Sequence, residues 1–136
     1  MIAIVDAGPL YAAVDANDAN HDRALEVLAL DDLDFIVPSM IVAEVAYLLG
    51  KRMGAYAEAG FLRGMIQYEV ASPLKREWSL ISGLVERYSD FPLGGADASI
   101  VVLAERLGTD LLITTDRRHF GALRMSDGRP FRLLPE

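Results

Sequence analysis

The stretch from Leu93 to Asp116, LGGADASIVVLAERLGTDLLITTD, constrains the fold more than any other part of the chain. It holds an apolar helix, a short turn and an apolar strand, with a carboxylate near each end. Asp97 enters the helix just after the Gly94–Gly95 pair. The apolar face continues through Ile100, Val101, Ala104 and Leu107, and Gly108 is placed to end it. Leu111–Ile113 is a short apolar run of the kind that forms a buried strand. It delivers Thr114, Thr115 and Asp116 to its C-terminal end, the edge of a parallel α/β sheet at which ligands bind.

The rest of the chain repeats this alternation. Ile2–Val5 is an apolar, β-branched run suited to a central parallel strand, and it ends in Asp6. Ala7-Gly8-Pro9 turns the chain into a helix through Val14. Asn20 is expected to cap a second helix carrying Ala24, Leu25, Val27 and Leu28. Phe35–Val37 is a second strand, stopped by Pro38. Ser39 is expected to cap a helix from Met40 to Leu49, ended by Gly50, and a further helix is predicted from Gly54 to Tyr68. Glu69–Ala71 suggests a third strand. Arg76 to Tyr88 is helical, with Trp78, Ile81, Leu84 and Val85 on one face, and Phe131–Leu134 suggests a final edge strand. Strands alternating with helices in 136 residues predict one domain, 1–136, of α/β class. The expected architecture is three-layer α/β/α with a mainly parallel sheet.

Four acids sit where apolar residues are expected. Glu44 lies within MIVAEVAYLL, beside Ile41, Val45 and Leu48 of its predicted helix. Asp97 has Ile100 and Val101 three and four positions on. Asp6 and Asp116 each close an apolar strand. Left unpaired, all four would be partly buried, which is costly. A divalent cation would neutralise them; otherwise desolvation and like charge force protons onto some of them. The chain has no cysteine, and His21 and His119 fall outside the pattern, so the donors are all oxygen. Oxygen donors favour Mg²⁺ or Mn²⁺ over zinc, and such a site suits phosphodiester hydrolysis. Each acid also has a structural alternative: Asp6 as a turn or cap residue, Asp97 as a helix N-terminal charge, Asp116 as a turn residue, Glu44 as the partner of a buried Arg.

At these positions the chain resembles the PIN-domain family. The resemblance is carried by IVDAGPLYA, PSMIVAEVAYLL, GGADASIVVLAERLG and LLITTDRRHF, in that order and over essentially the whole length. Within the family it is most similar to the VapC-type toxins of bacterial toxin–antitoxin pairs. The resemblance implies a Mg²⁺- or Mn²⁺-dependent endoribonuclease with Asp6, Glu44, Asp97 and Asp116 as its acidic quartet. It casts Asp6 and Asp97 as principal metal ligands, Glu44 as a ligand or orienter of the nucleophile, and Asp116 as the contact to a second ion or a water. Thr115 matches the family's small hydroxyl residue before the last acid. A homodimer and a VapB-type antitoxin are implied as well, with RNA as substrate.

The formal charge of −7 argues against a general electrostatic grip on nucleic acid. Arg117, Arg118 and His119 are therefore candidates for phosphate contacts, or else form a solvated turn. Tyr11 and Tyr47 read as core or dimer-interface residues rather than stacking platforms, which have to be exposed. The opening MIAIVD lacks the basic start of a signal peptide and no apolar run reaches the length of a membrane span, so a cytoplasmic protein is expected. Two other functions compete. A phosphatase or receiver using Asp6 as nucleophile is disfavoured, because Gly8 stands where a second Asp would be wanted and no Lys follows a late strand. A non-catalytic acidic module that binds protein would hold the quartet in ion pairs.

Overall fold

The computed structural model describes residues 1–136. Five strands, β1 (Ile2–Val5), β2 (Asp34–Pro38), β3 (Glu69–Ala71), β4 (Leu111–Ile113) and β5 (Arg132–Leu134), form one sheet. Seven helices surround it: α1 (Ala7–Val14), α2 (His21–Leu28), α3 (Ser39–Met53), α4 (Ala55–Gly64), α5 (Glu77–Arg87), α6 (Gly95–Leu107) and α7 (Arg117–Ala122). The strand order is β3-β2-β1-β4-β5 and every pairing is parallel. The α/β expectation therefore holds, with a sheet that is wholly parallel. No helix is long and apolar enough to cross a membrane.

This order positions the site. The chain starts at the centre, builds outward through β2 and β3, then crosses back to lay β4 on the other side of β1. Between β1 and β4 the crossovers leave in opposite directions, and a crevice opens beyond their carboxyl ends. Asp6 follows β1 and Asp116 follows β4 shortly after it, so two of the four acids flank that crevice. The backbone fixes their relation: Asp6 N–H donates to the Ile113 carbonyl at 2.9 Å, directly beyond the Val5–Ile113 pair. Ala3, Ile4, Val5, Leu112 and Ile113 are fully buried beneath it.

Several local expectations are corrected by tertiary contacts. Pro38, with extended backbone, occupies the N-cap of α3, and Ser39 is its first helical residue rather than its cap. The helix runs through Gly50 to Met53 and ends at Gly54, whose φ of 93° favours glycine. Asn20 stands at the N-cap of α2 without a side-chain bond; Asp18 instead accepts from the Asn20 N–H. α4 stops at Gly64, and Met65–Gln67 form a single 3-10 turn. On α5 Trp78 is exposed and Glu77 is buried. The reason is an ion pair: Arg106 Nε of α6 lies 3.1 Å from Glu77 Oε2, while Glu77 Oε1 accepts from the Leu74 N–H at 2.7 Å. Arg106 also donates to the Ser72 carbonyl. The pair thus ties the β3–α5 connection to α6.

Breaking a buried pair by removing one partner leaves the other charge uncompensated. Glu77→Ala is expected to lower stability by about 3 kcal/mol, measured as a reduced urea midpoint at unchanged slope.

Candidate active site

The site begins with the side chain of Asp6, which is buried at the head of α1. Its Oδ1 accepts from the Ala7 N–H at 2.7 Å, so the cap alternative is realised. Its Oδ2 accepts from the Thr114 hydroxyl at 2.8 Å. Thr114 in turn accepts from the Asp116 N–H at 2.9 Å. One fully buried hydroxyl therefore bridges the acids that end the two central strands. The family resemblance singled out Thr115, and Thr114, expected at the same strand end, was given no role. The signal available was its position directly after the wholly buried Leu111–Ile113 run, beside the end of β1. Thr115 also reaches the site region: its hydroxyl lies against Gly8, where a Cβ would collide with it.

Asp97 stands in the first turn of α6, half-buried, after Gly94 has opened the helix. Glu44 departs from expectation, being exposed rather than partly buried. The buried stripe of α3 is Ile41, Val45, Ala46 and Leu49, and Glu44 lies about 100° round the helix from Val45. It faces the crevice instead. The acids sense one another. Burial, opposed by the Thr114 and Ala7 bonds and reinforced by Asp97 and Asp116, pushes the Asp6 carboxyl up to about 6 from 3.8. Burial and then Asp6 raise Glu44. Burial, Glu44 and Asp116 raise Asp97, with His119 acting in the opposite sense. Four acids from four separate parts of the chain thus share one electrostatic field.

No Arg or Lys ion pair serves any of them. Asp116 alone is paired, with His119 Nδ1 at 2.8 Å from Oδ2, and it also caps α7 by accepting from the His119 N–H. The His119 ring packs on Phe91, with centroids 4.8 Å apart. This is not the ion-paired quartet that a purely structural role requires.

A family comparison decides the matter of descent. The PIN domain model matches residues 3–124. The chain belongs to the PIN-domain family. It is 36% identical over 134 residues to ribonuclease VapC26 of Mycobacterium tuberculosis, spanning 97% of this chain and 99% of the relative. The fold is that of VapC20 of Mycobacterium tuberculosis, described as a toxin cleaving the sarcin–ricin loop, with a TM-score of 0.74 at 18% identity. That likeness covers 82% of this chain and 87% of the other. It is shared too with the VapBC2 structure from Rickettsia felis, solved bound to a DNA fragment from the promoter. There the TM-score is 0.70 at 17% identity over 98% of both chains. The full-length likeness to a ribonuclease supports the nuclease expectation and not the non-catalytic module.

PIN-domain ribonucleases of the VapC type are in general divalent-metal dependent. The donors of this PIN domain suit a hard cation, being carboxylate oxygens in mutual repulsion. No three of them are gathered about one coordination point. That geometry is compatible with Mg²⁺-like binding, which uses one or two carboxylates and keeps several waters. Of the candidate phosphate contacts, Arg117 turns away, its guanidinium donating to the carbonyls of Leu133 and Pro135. Arg118 is exposed, and neither a hydrogen bond nor an ion pair engages its side chain. Residues 117–122 form α7 rather than the loose turn considered for Arg117–His119.

Between pH values near 4 and 6 the folded chain binds more protons at Asp6 than the unfolded chain does, so this group's contribution to stability falls as pH rises. Metal-free protein is expected to gain roughly 1 kcal/mol from it on moving from about pH 7 to about pH 5; Asp6→Asn should flatten that part of the urea-midpoint profile. Thr114→Val strands the Asp116 N–H and is expected to cost about 1–3 kcal/mol by the same measurement.

Proposed function

We propose that Asp6, Glu44, Asp97 and Asp116 form the catalytic and metal-binding site of an endoribonuclease toxin using Mg²⁺ or Mn²⁺. The observation that carries this reading is the convergence of the four acids at the β1–β4 switch point, where burial first, and then the charges of Asp97 and Asp116, push Asp6 up to about 6. A divalent ion bound there supplies charge neutralisation and lowers the pKa of an attacking water.

The chain's own groups do the rest. Asp6, fixed by Ala7 and Thr114, presents oxygens that do not need to reorganise, and Asp97 adds a carboxylate from the first turn of α6. Glu44, the most exposed of the four and raised in pKa, takes the proton of the water that attacks phosphorus. The P–O bond to the departing ribose oxygen breaks as the new one forms, and solvent returns a proton to that oxygen. Asp116, held by Thr114 and His119, completes the negative rim on the leaving side. Thr115 and Arg118 contact the RNA backbone; Arg117, engaged with the C-terminal strand, positions α7 instead.

A VapB-type antitoxin is the partner this reading supplies, and a basic side chain inserted among the acids would relieve their repulsion as a cation does. A homodimer is part of the same reading. Exposed Trp78 and Leu80 on α5 give apolar surface that such an interface could cover.

Purified protein is expected to cut structured RNA at discrete positions in Mg²⁺ or Mn²⁺ and not in EDTA. Asp97→Asn, prepared identically, should lose at least about 100-fold in rate. In metal-free buffer the same variant should melt at an equal or higher temperature, because one of several repelling charges is gone. Equal cleavage by both proteins, or a melting temperature lowered by several degrees in the variant, contradicts the assignment.

A further inference from the structure

Tyr47 lies outside the core. It is 63% exposed on α3, which removes the core alternative of the sequence expectation and meets the requirement for a stacking platform. Glu44 precedes it by three positions and Lys51 follows by four, so the three share one face of the helix at intervals of about one turn. Lys51 Nζ lies 6.0 Å from the centroid of the Tyr47 ring. Beside the ring Ala43, Ala46 and Gly50 make a floor of small residues, and the shallow, open groove above them has a volume of about 480 Å³. On the α4 side the groove is closed by Glu58, whose carboxylate rests against Gly50. No hydrogen bond or ion pair engages that carboxylate.

We propose that this groove seats one unpaired nucleotide of the RNA beside the scissile phosphate. The base stacks on Tyr47, Lys51 takes the adjoining phosphate, and the Glu58 carboxylate accepts from an exocyclic amine of the base. The proposal rests on the nuclease reading above and extends it to how substrate is held. Three features favour a nucleotide over a protein side chain here. The groove runs on the helix face that carries Glu44, so its occupant is continuous with the reacting strand. A cation stands beside an exposed ring, the pairing that a base and its phosphate require. The Glu58 carboxylate on the far wall is an acceptor, which suits the exocyclic amines of adenine, cytosine and guanine; uracil has no amine, and its one ring donor, N3–H, is flanked by two carbonyls that oppose the carboxylate. Stacking also needs no basic surface, so it gives a chain of charge −7 a grip that survives its own field.

The test is binding of short labelled oligoadenylate, oligocytidylate and oligouridylate in EDTA, followed by fluorescence anisotropy. It uses the full chain as wild type, Tyr47→Ala, Tyr47→Phe, Lys51→Ala and Glu58→Gln. Melting curves and sedimentation velocity are recorded for each. Tyr47→Ala is expected to weaken binding by about 10-fold or more with Tyr47→Phe close to wild type, since phenylalanine keeps the stacking face. Lys51→Ala should flatten the logarithmic salt dependence by about 0.7, and Glu58→Gln should erase a preference for adenylate and cytidylate over uridylate. In metal-dependent cleavage Tyr47→Ala should raise KM far more than it lowers kcat. Equal affinity across the set overturns the proposal. So does an unchanged affinity accompanied by a smaller sedimenting species for Tyr47→Ala, which would make the face a protein interface. Wild type that cleaves with metal but shares its KM with Tyr47→Ala overturns the subsite and leaves the nuclease reading standing. Wild type that neither binds nor cleaves RNA overturns both.

Discussion

Negative charge held against negative charge, partly out of water, is the constraint on which the rest of this structure depends. Carboxylates in such a field move apart or take up protons unless their backbones are fixed. Here Asp6 is rooted in the end of a strand whose last three residues are fully buried. Asp97 is set by the opening turn of the most deeply buried helix, α6, and Asp116 by the cap it makes for α7. Glu44 has the freest position, and its helix is anchored by Ile41, Val45 and Leu49 rather than by the acid itself. The rigidity of the apolar core is thus what permits the polar crevice. Anything that binds the folded acids as a cation stabilises the fold by the repulsion it relieves.

Thr114 shows how little is needed to set the geometry. Donating to Asp6 and accepting from the Asp116 backbone, its hydroxyl uses donor and acceptor in one fixed direction. The orientation of one carboxylate is therefore coupled to the path of the chain into α7. His119, leaning on Phe91, holds the other end of that path. The acids are separate in sequence but mechanically joined.

What was legible in the sequence was whatever local chemistry decides. Ile2–Val5 and Leu111–Ile113 are apolar runs that end in polar residues, and they became the central pair. Gly108 terminates α6 in the left-handed conformation, with φ at 67°. The acids stood out because each interrupted such a pattern. What was not legible depended on partners distant in the chain. Glu77 is buried and Trp78 exposed only because Arg106 arrives from the next helix. Gly50 read as a stop, yet the chain stays helical past it and breaks at Gly54. Glu44 could be placed beside the apolar stripe but not on its open flank, because the stripe's width is set by what packs on it. Arg117 and Arg118 were candidates for phosphate contacts from their place beside Asp116. Arg117, like Arg106 and Arg124, instead binds main-chain carbonyls, a task for which a forked donor is well suited.

The strand order has a consequence for how the molecule comes into being. Its centre is assembled from opposite ends of the sequence, since β1 opens the chain while β4 and β5 come last. A growing polypeptide carrying Asp6, Glu44 and Asp97 still lacks the strand that supplies Thr114 and Asp116. Half of the sheet, β1 to β3, is available first, and the crevice has only one wall. The cluster therefore cannot mature gradually during translation; it appears at one late step, when β4 docks beside β1. The acidic crevice is thus closed by the part of the chain that is made last.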